Sequence, residues 1–205
     1  MKVERFVNSI FTSNSYILYS DKSESAYIID PGDSIPIINW LIKNKKVLKG
    51  IFITHSHFDH IYGINDLVAK FPSINIFASF YAKEGMASEK LNGSLYHEKP
   101  YVVKKKDIIL IKEGDQFKLW EDILLNVIET PGHNRDCLSF YLDKNLFTGD
   151  AFIPGIKVVT KIKFGDKTQA GNSIKRLFEQ FNDDTMIWPG HEINCLFSDI
   201  KHDKY

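Results

Sequence analysis

A chain of 205 residues with 26 basic and 26 acidic side chains, 43% of it hydrophobic, has the apolar content for one soluble domain with a sizeable core. Its formal net charge of zero leaves no electrostatic footprint for nucleic acid or an anionic membrane surface, so neither is expected as a partner. No apolar run reaches the roughly 18 residues a spanning helix needs.

The start, Met1-Lys2-Val3-Glu4-Arg5, lacks the apolar stretch of a signal peptide. Three short strands follow, Val3 to Val7, Tyr16 to Tyr19 and Ala26 to Ile29, ending in the turn Asp30-Pro31-Gly32. Ser34 suits a helix N-cap with Pro36 in the first turn, and Ile38, Leu41 and Ile42 make an apolar stripe. The run Gly50-Ile51-Phe52-Ile53 reads as another strand, and Ile61, Ile64, Leu67 and Val68 mark a helix after His60. The loop 92–106 has no period; with Tyr96, His97 and Tyr101 it reads as a flap or, more simply, a solvated loop, and Lys104-Lys105-Lys106 as an exposed charge run. Ile108 to Glu129 reads as antiparallel strands broken at Glu113-Gly114-Asp115 and Glu121-Asp122. Ile174, Leu177, Phe178 and Phe181 define the last helix. These stripes, with Trp40, Trp120 and Trp188, are assigned to the core. Cys137 and Cys195 supply no disulfide framework and read as packed small side chains, so a cytoplasmic location is the default. No linker, repeat or compositional shift divides the chain, and only fourteen residues follow His191, so 1–205 is expected to be a single domain. Periodicity alone supports α/β or α+β with many strands.

Thr54-His55-Ser56-His57-Phe58-Asp59-His60 places four metal-ligand side chains in six positions directly after an apolar strand. In extended backbone His55 and His57 point the same way and suit one ion, whereas a following turn re-aims Asp59 and His60 toward another. Two ligands per ion are too few: catalytic sites use three protein ligands plus water. Further candidates recur where an apolar strand stops at glycine: His133 in Thr-Pro-Gly-His, Asp150 in Phe-Thr-Gly-Asp and His191 in Pro-Gly-His.

With these residues the sequence resembles the metallo-β-lactamase superfamily, which includes glyoxalase II and many small metal-dependent hydrolases. The family's H-x-H-x-D-H motif matches His55, His57, Asp59 and His60, and its later ligands match His133, Asp150 and His191, in the family's order. The resemblance implies a four-layer αββα sandwich and two ions, the first on His55, His57 and His133, the second on Asp59, His60 and His191, with Asp150 bridging. Asp30 matches an early acidic position; it either fixes a histidine tautomer or serves the Pro-Gly turn. Two departures stand out. Asn134-Arg135-Asp136-Cys137 replaces the usual small residues after His133, and no Gly-Arg-Asp type motif follows Asp150.

The implied enzyme is a dinuclear zinc hydrolase that uses a metal-bound hydroxide to cleave a small ester, thioester or lactone, with Asp59 and Asp150 as catalytic carboxylates. Iron and manganese are the alternative metals. A mononuclear iron oxygenase acting on a persulfide, a phosphodiesterase and a non-catalytic metal-binding module are the competing readings. Glyoxalase II proper has a glutathione-binding helical extension with no counterpart after His191. Lys161 and Lys163, beyond Asp150, suit either an anionic substrate group or the protection of a strand edge. Oligomeric state is open.

Overall fold

The computed structural model describes residues 1–200, and the chain divides into two compact units, Met1–Ile111 and the part from Lys112 onward. In the first unit six strands form one mixed sheet in sequence order. β1 (Lys2–Val7), β2 (Asn14–Tyr19) and β3 (Ser25–Ile29) are antiparallel neighbours. β4 (Val47–Phe52), β5 (Asn75–Ala78) and β6 (Ile108–Leu110) then add in parallel. Parallel neighbours require crossovers; these run through α1 (Ser34–Lys43), α2 (Ile64–Lys70) and α3 (Phe80–Met86). Gly50, Ile51, Phe52 and Ile53 are all buried, as a continuous apolar run predicts for a strand covered on both faces. Phe52 stacks on Phe77 with ring centroids 4.5 Å apart.

Several expectations shift here. Asp33, not Ser34, is the N-cap of α1, because the Ser34 hydroxyl donates to Asp66 Oδ2 at 2.7 Å instead of capping. Ile37 and Leu41 face the core, Ile38 packs on its margin, and Ile42 is exposed. A single 3₁₀ turn, Phe58–His60, follows the histidine motif, and α2 begins only at Ile64; Ile61, Ile64 and Leu67 are nevertheless buried as expected. β6 pairs in parallel with β5 in this sheet and is not the first strand of an antiparallel set. Three residues show no alternation that distinguishes one partner from another.

In the second unit the sheet order is β12-β11-β10-β9-β8-β7. The strands are β7 (Gln116–Trp120), β8 (Ile123–Glu129), β9 (Leu138–Leu142), β10 (Asn145–Gly149), β11 (Met186–Pro189) and β12 (Cys195–Leu196). All pairs are antiparallel except β10 with β11, which are joined through α4 (Lys167–Gln180). Asp166 caps α4, its carboxylate accepting from the Thr168 and Gln169 amides. Ile128, Leu146, Phe152, Leu177 and Ile187 form its core, flanked by Ile174, Phe178 and Phe181. Fully burying such a side chain contributes roughly 1.5–3 kcal/mol relative to exposure. Trp40, Trp120 and Trp188 are only half-buried; a polar indole edge keeps such a ring at the core margin, and Trp188 Nε1 donates to Asn145 Oδ1. Cys137 is buried and Cys195 half-buried, both as thiols. Among the described residues no helix is long and apolar enough to cross a membrane.

Candidate functional site

Parallel pairing of β3 and β4 in the first unit delivers Asp30 and the histidine motif to the same strand ends. There the rings of His55 and His57 lie 4.8 Å apart and those of His55 and His60 4.3 Å apart. His57 has extended backbone, and the 3₁₀ turn after it brings Asp59 Oδ2 to 3.3 Å from His60 Nε2. His55 and His60 are fully buried and Asp59 nearly so. Three imidazoles and a carboxylate crowded into a buried corner are a donor set suited to a borderline divalent cation.

Asp30 orients this set. Its Oδ1 accepts from the Thr54 amide at 2.8 Å and its Oδ2 from the Thr54 hydroxyl at 2.5 Å. The hydroxyl has one proton, so the Thr54 oxygen must accept at its 3.0 Å contact with His55 Nδ1. Asp30 Oδ2 also lies 3.3 Å from His60 Nδ1. Both rings therefore carry their proton on Nδ1 and leave Nε2 for a cation, the arrangement by which a carboxylate behind an imidazole fixes its tautomer. Burial pushes the Asp30 carboxyl up, opposed by its bonds from His60 and Thr54. Its positive φ of 52° belongs to a turn, yet the carboxylate is committed to the histidines, which decides between its two sequence readings. Thr54 was missed in the sequence. Its signal was position alone, a hydroxyl residue directly before the first histidine.

Topology explains the second unit's candidates. β8 and β10 are each antiparallel to β9, so they run in the same direction, and β11 runs parallel to β10. The three strands thus release His133, Asp150 and His191 at one end of their sheet. Asp150 Oδ2 is 3.6 Å from His133 Nε2 and 3.5 Å from His191 Nε2. A single carboxylate oxygen stands between two imidazoles. His133 Nδ1 is 2.8 Å from the Val159 carbonyl, which can only accept, so this ring too presents Nε2. A backbone carbonyl carries no sequence signal, and Val159 was not legible beforehand.

Gly132 sets the approach to His133. Its φ of +144° is adopted almost only by glycine, and a Cβ there would lie 2.3 Å from the Ala170 backbone in α4. Gly132→Ala is expected to destabilise the protein by at least about 2 kcal/mol, read as a lower midpoint of urea unfolding. An unchanged midpoint would show that α4 is not seated against this glycine.

The remaining sequence candidates divide. Lys161 and Lys163 are exposed and outside any strand, which removes edge protection as their explanation. Lys163 Nζ and the Arg135 guanidinium lie over the Phe164 ring at 4.9 and 3.9 Å from its centroid. The loop 92–106 is tied down: the Asn92 and Ser94 side chains both donate to the Tyr101 carbonyl, and the Tyr101 hydroxyl accepts from the Asn65 amide. His97 packs on Phe58 at 4.9 Å, while Tyr96, Lys104 and Lys106 are exposed.

The model of the metallo-beta-lactamase superfamily matches residues 9–191. The chain is 35% identical over 142 residues to hydroxyacylglutathione hydrolase 1 of Vibrio vulnificus, covering 69% of this chain and 48% of that protein. It is 33% identical over 164 residues to hydroxyacylglutathione hydrolase of Buchnera aphidicola, covering 79% of this chain and 56% of that protein. The chain thus spans about half the length of these curated relatives. Among solved structures, the BLEG-1 B3 metallo-beta-lactamase has a TM-score of 0.89 and 26% identity, covering 96% of this chain and 95% of that one. The mixed α/β fold with two sheets, expected from the resemblance, is the one this chain has in common with that structure.

Proposed function

The chain belongs to the metallo-β-lactamase superfamily, and we propose that it is a two-metal hydrolase, zinc being the ion, that cleaves a small ester, thioester or lactone. On the family's pattern His55, His57 and His133 would hold one ion and Asp59, His60 and His191 the other, with Asp150 as the shared ligand. The observation that carries this reading is the Asp150 oxygen between the His133 and His191 rings. The family match over residues 9–191, which contains all seven residues, supports this assignment. The names of the curated relatives put a thioester first among the substrates.

Two divalent ions held there supply Lewis acidity, which acidifies water near neutral pH and stabilises developing negative charge. The protein's own contributions are orientation and charge. Asp30, through Thr54 and directly, and the Val159 carbonyl keep three imidazoles in the tautomer that presents Nε2. Asp59 and Asp150 would lower the net charge of the cation site, and we assign to them the transfer of a proton from water to the leaving group. Cleavage of a thioester then consumes one water and yields a carboxylic acid and a thiol. The test is zinc-loaded protein assayed under nitrogen against esters, thioesters, lactones and phosphodiesters. Acyl hydrolysis without oxygen supports the proposal. Activity confined to phosphodiesters, or oxygen uptake with a persulfide in the iron form only, would overturn it.

Lys161 and Lys163 are assigned to an anionic group of the substrate. Converting both to Met is expected to raise KM for anionic substrates roughly tenfold while kcat changes little, the pattern of lost uniform binding. Equal kinetics of wild type and variant on charged and neutral substrates would remove them from recognition.

A further inference from the structure

We propose that Asn8 is a positioning residue for the metal ligands of the first unit, acting through Ser13 and Ser15; this rests on the reading of Asp59 and His60 as ligands. Asn8, Ser13 and Ser15 are buried, exposing 2%, 0% and 0% of their surfaces. The Ser13 hydroxyl donates to the Asp59 carbonyl at 2.7 Å, and the Ser15 hydroxyl to the Asp30 carbonyl at 2.6 Å. Each serine has a single hydroxyl proton, so each oxygen is left to accept. Both accept from the same donor, Asn8 Nδ2, at 3.0 Å. Asn8 Oδ1 accepts from the Asp33 amide at 3.0 Å, which fixes which way the amide faces. Ser15 Oγ accepts in addition from the Gly32 amide at 2.8 Å, so one side-chain amide, joined at Ser15 by that backbone N–H, sets the direction of both hydroxyls.

The two carbonyls so held belong to the two acidic residues on either side of His60. Asp30 Oδ2 is 3.3 Å from its Nδ1 and Asp59 Oδ2 is 3.3 Å from its Nε2. A carbonyl and a carboxylate of one residue share a Cα, so displacing the peptide displaces the carboxylate. Buried hydroxyls satisfied in this way rigidify a site more than an apolar filling would. The network spans the β1–β2 connection and the start of β2, and through it the hairpin acts on two loops distant in sequence.

Ser13→Ala removes the hydroxyl's bond to the Asp59 carbonyl together with its acceptor for Asn8 Nδ2, and leaves the Ser15–Asp30 arm in place. It is expected to weaken zinc binding about tenfold in competition with a chromophoric chelator, the scale of losing a partner behind a metal ligand. The visible absorption of the cobalt(II)-substituted protein is expected to shift with it. Ser13→Thr, which keeps the hydroxyl, is expected to restore both, and Asn8→Ala to weaken binding further than Ser13→Ala. Should circular dichroism show Ser13→Ala unfolded, Ser13→Cys, of similar volume with a weaker donor, takes its place with the same expectations. Wild-type affinity and cobalt spectrum in the alanine or cysteine variant would overturn the inference, as would a loss that threonine does not rescue. A wild-type protein that retains no ion would instead refute the metal reading itself, and is seen before any variant is made.

Discussion

Asp150→Ala is expected to reduce hydrolytic turnover by on the order of 10³-fold or more, the upper range for losing one preorganised charge-stabilising group. Asp150 supplies the one carboxylate oxygen lying between the His133 and His191 rings, at 3.6 and 3.5 Å. Its side chain is only 12% exposed, so water has little room to substitute for the lost anion. In the proposed assignment both ions lose a ligand together, and metal content should fall along with turnover. Elemental analysis of the desalted variant, set beside its steady-state kinetics, makes the measurement. Lys104→Ala, at an exposed position outside the site, is the comparison and should leave turnover nearly unchanged. Normal metal content with wild-type turnover in Asp150→Ala would show the ligand assignment to be wrong.

Stripping the ions with a chelator is expected to abolish turnover and lower the melting temperature, and two equivalents of zinc per chain should restore both. Binding to the folded state alone adds about 4 kcal/mol at an ion concentration a thousand times Kd, a large fraction of ordinary domain stability. The buried imidazoles of His55 and His60 give the folded chain this preference, because an unfolded chain does not hold them 4.3 Å apart. Calorimetry with stepwise zinc addition gives both stoichiometry and stabilisation. Saturation at one ion per chain would refute the two-metal reading.

Which parts of this were legible in the sequence follows from what each residue type signals. The histidine motif was readable because imidazoles are uncommon in plain turns, and β4 was readable from its unbroken apolar run. His133, Asp150 and His191 were readable as a repeated pattern, strand then glycine then ligand; their convergence was not, because it depends on β8, β10 and β11 sharing a direction that no local period encodes. The partner of β6 and the N-cap of α1 were missed for related reasons. A three-residue strand has too few side chains to alternate informatively, and the Ser34 hydroxyl had an attraction elsewhere, to Asp66. Thr54, Ser13 and Ser15 are common residues whose importance comes from where their single protons go. Only the folded geometry reveals that.

The common direction of β8, β10 and β11 has a practical consequence for protein engineering. The connections at the other end of that sheet, Glu121-Asp122 between β7 and β8 and Asp143-Lys144 between β9 and β10, stand a full strand length from every candidate ligand of the unit. Both are short, polar turns, and Asp143 and Lys144 adopt φ values of 49° and 62°, those of a two-residue hairpin connection. Exposed turns of this kind are where insertions are best tolerated. A fluorophore, an affinity handle or a surface tether introduced there would report on the enzyme or immobilise it without entering the chemistry.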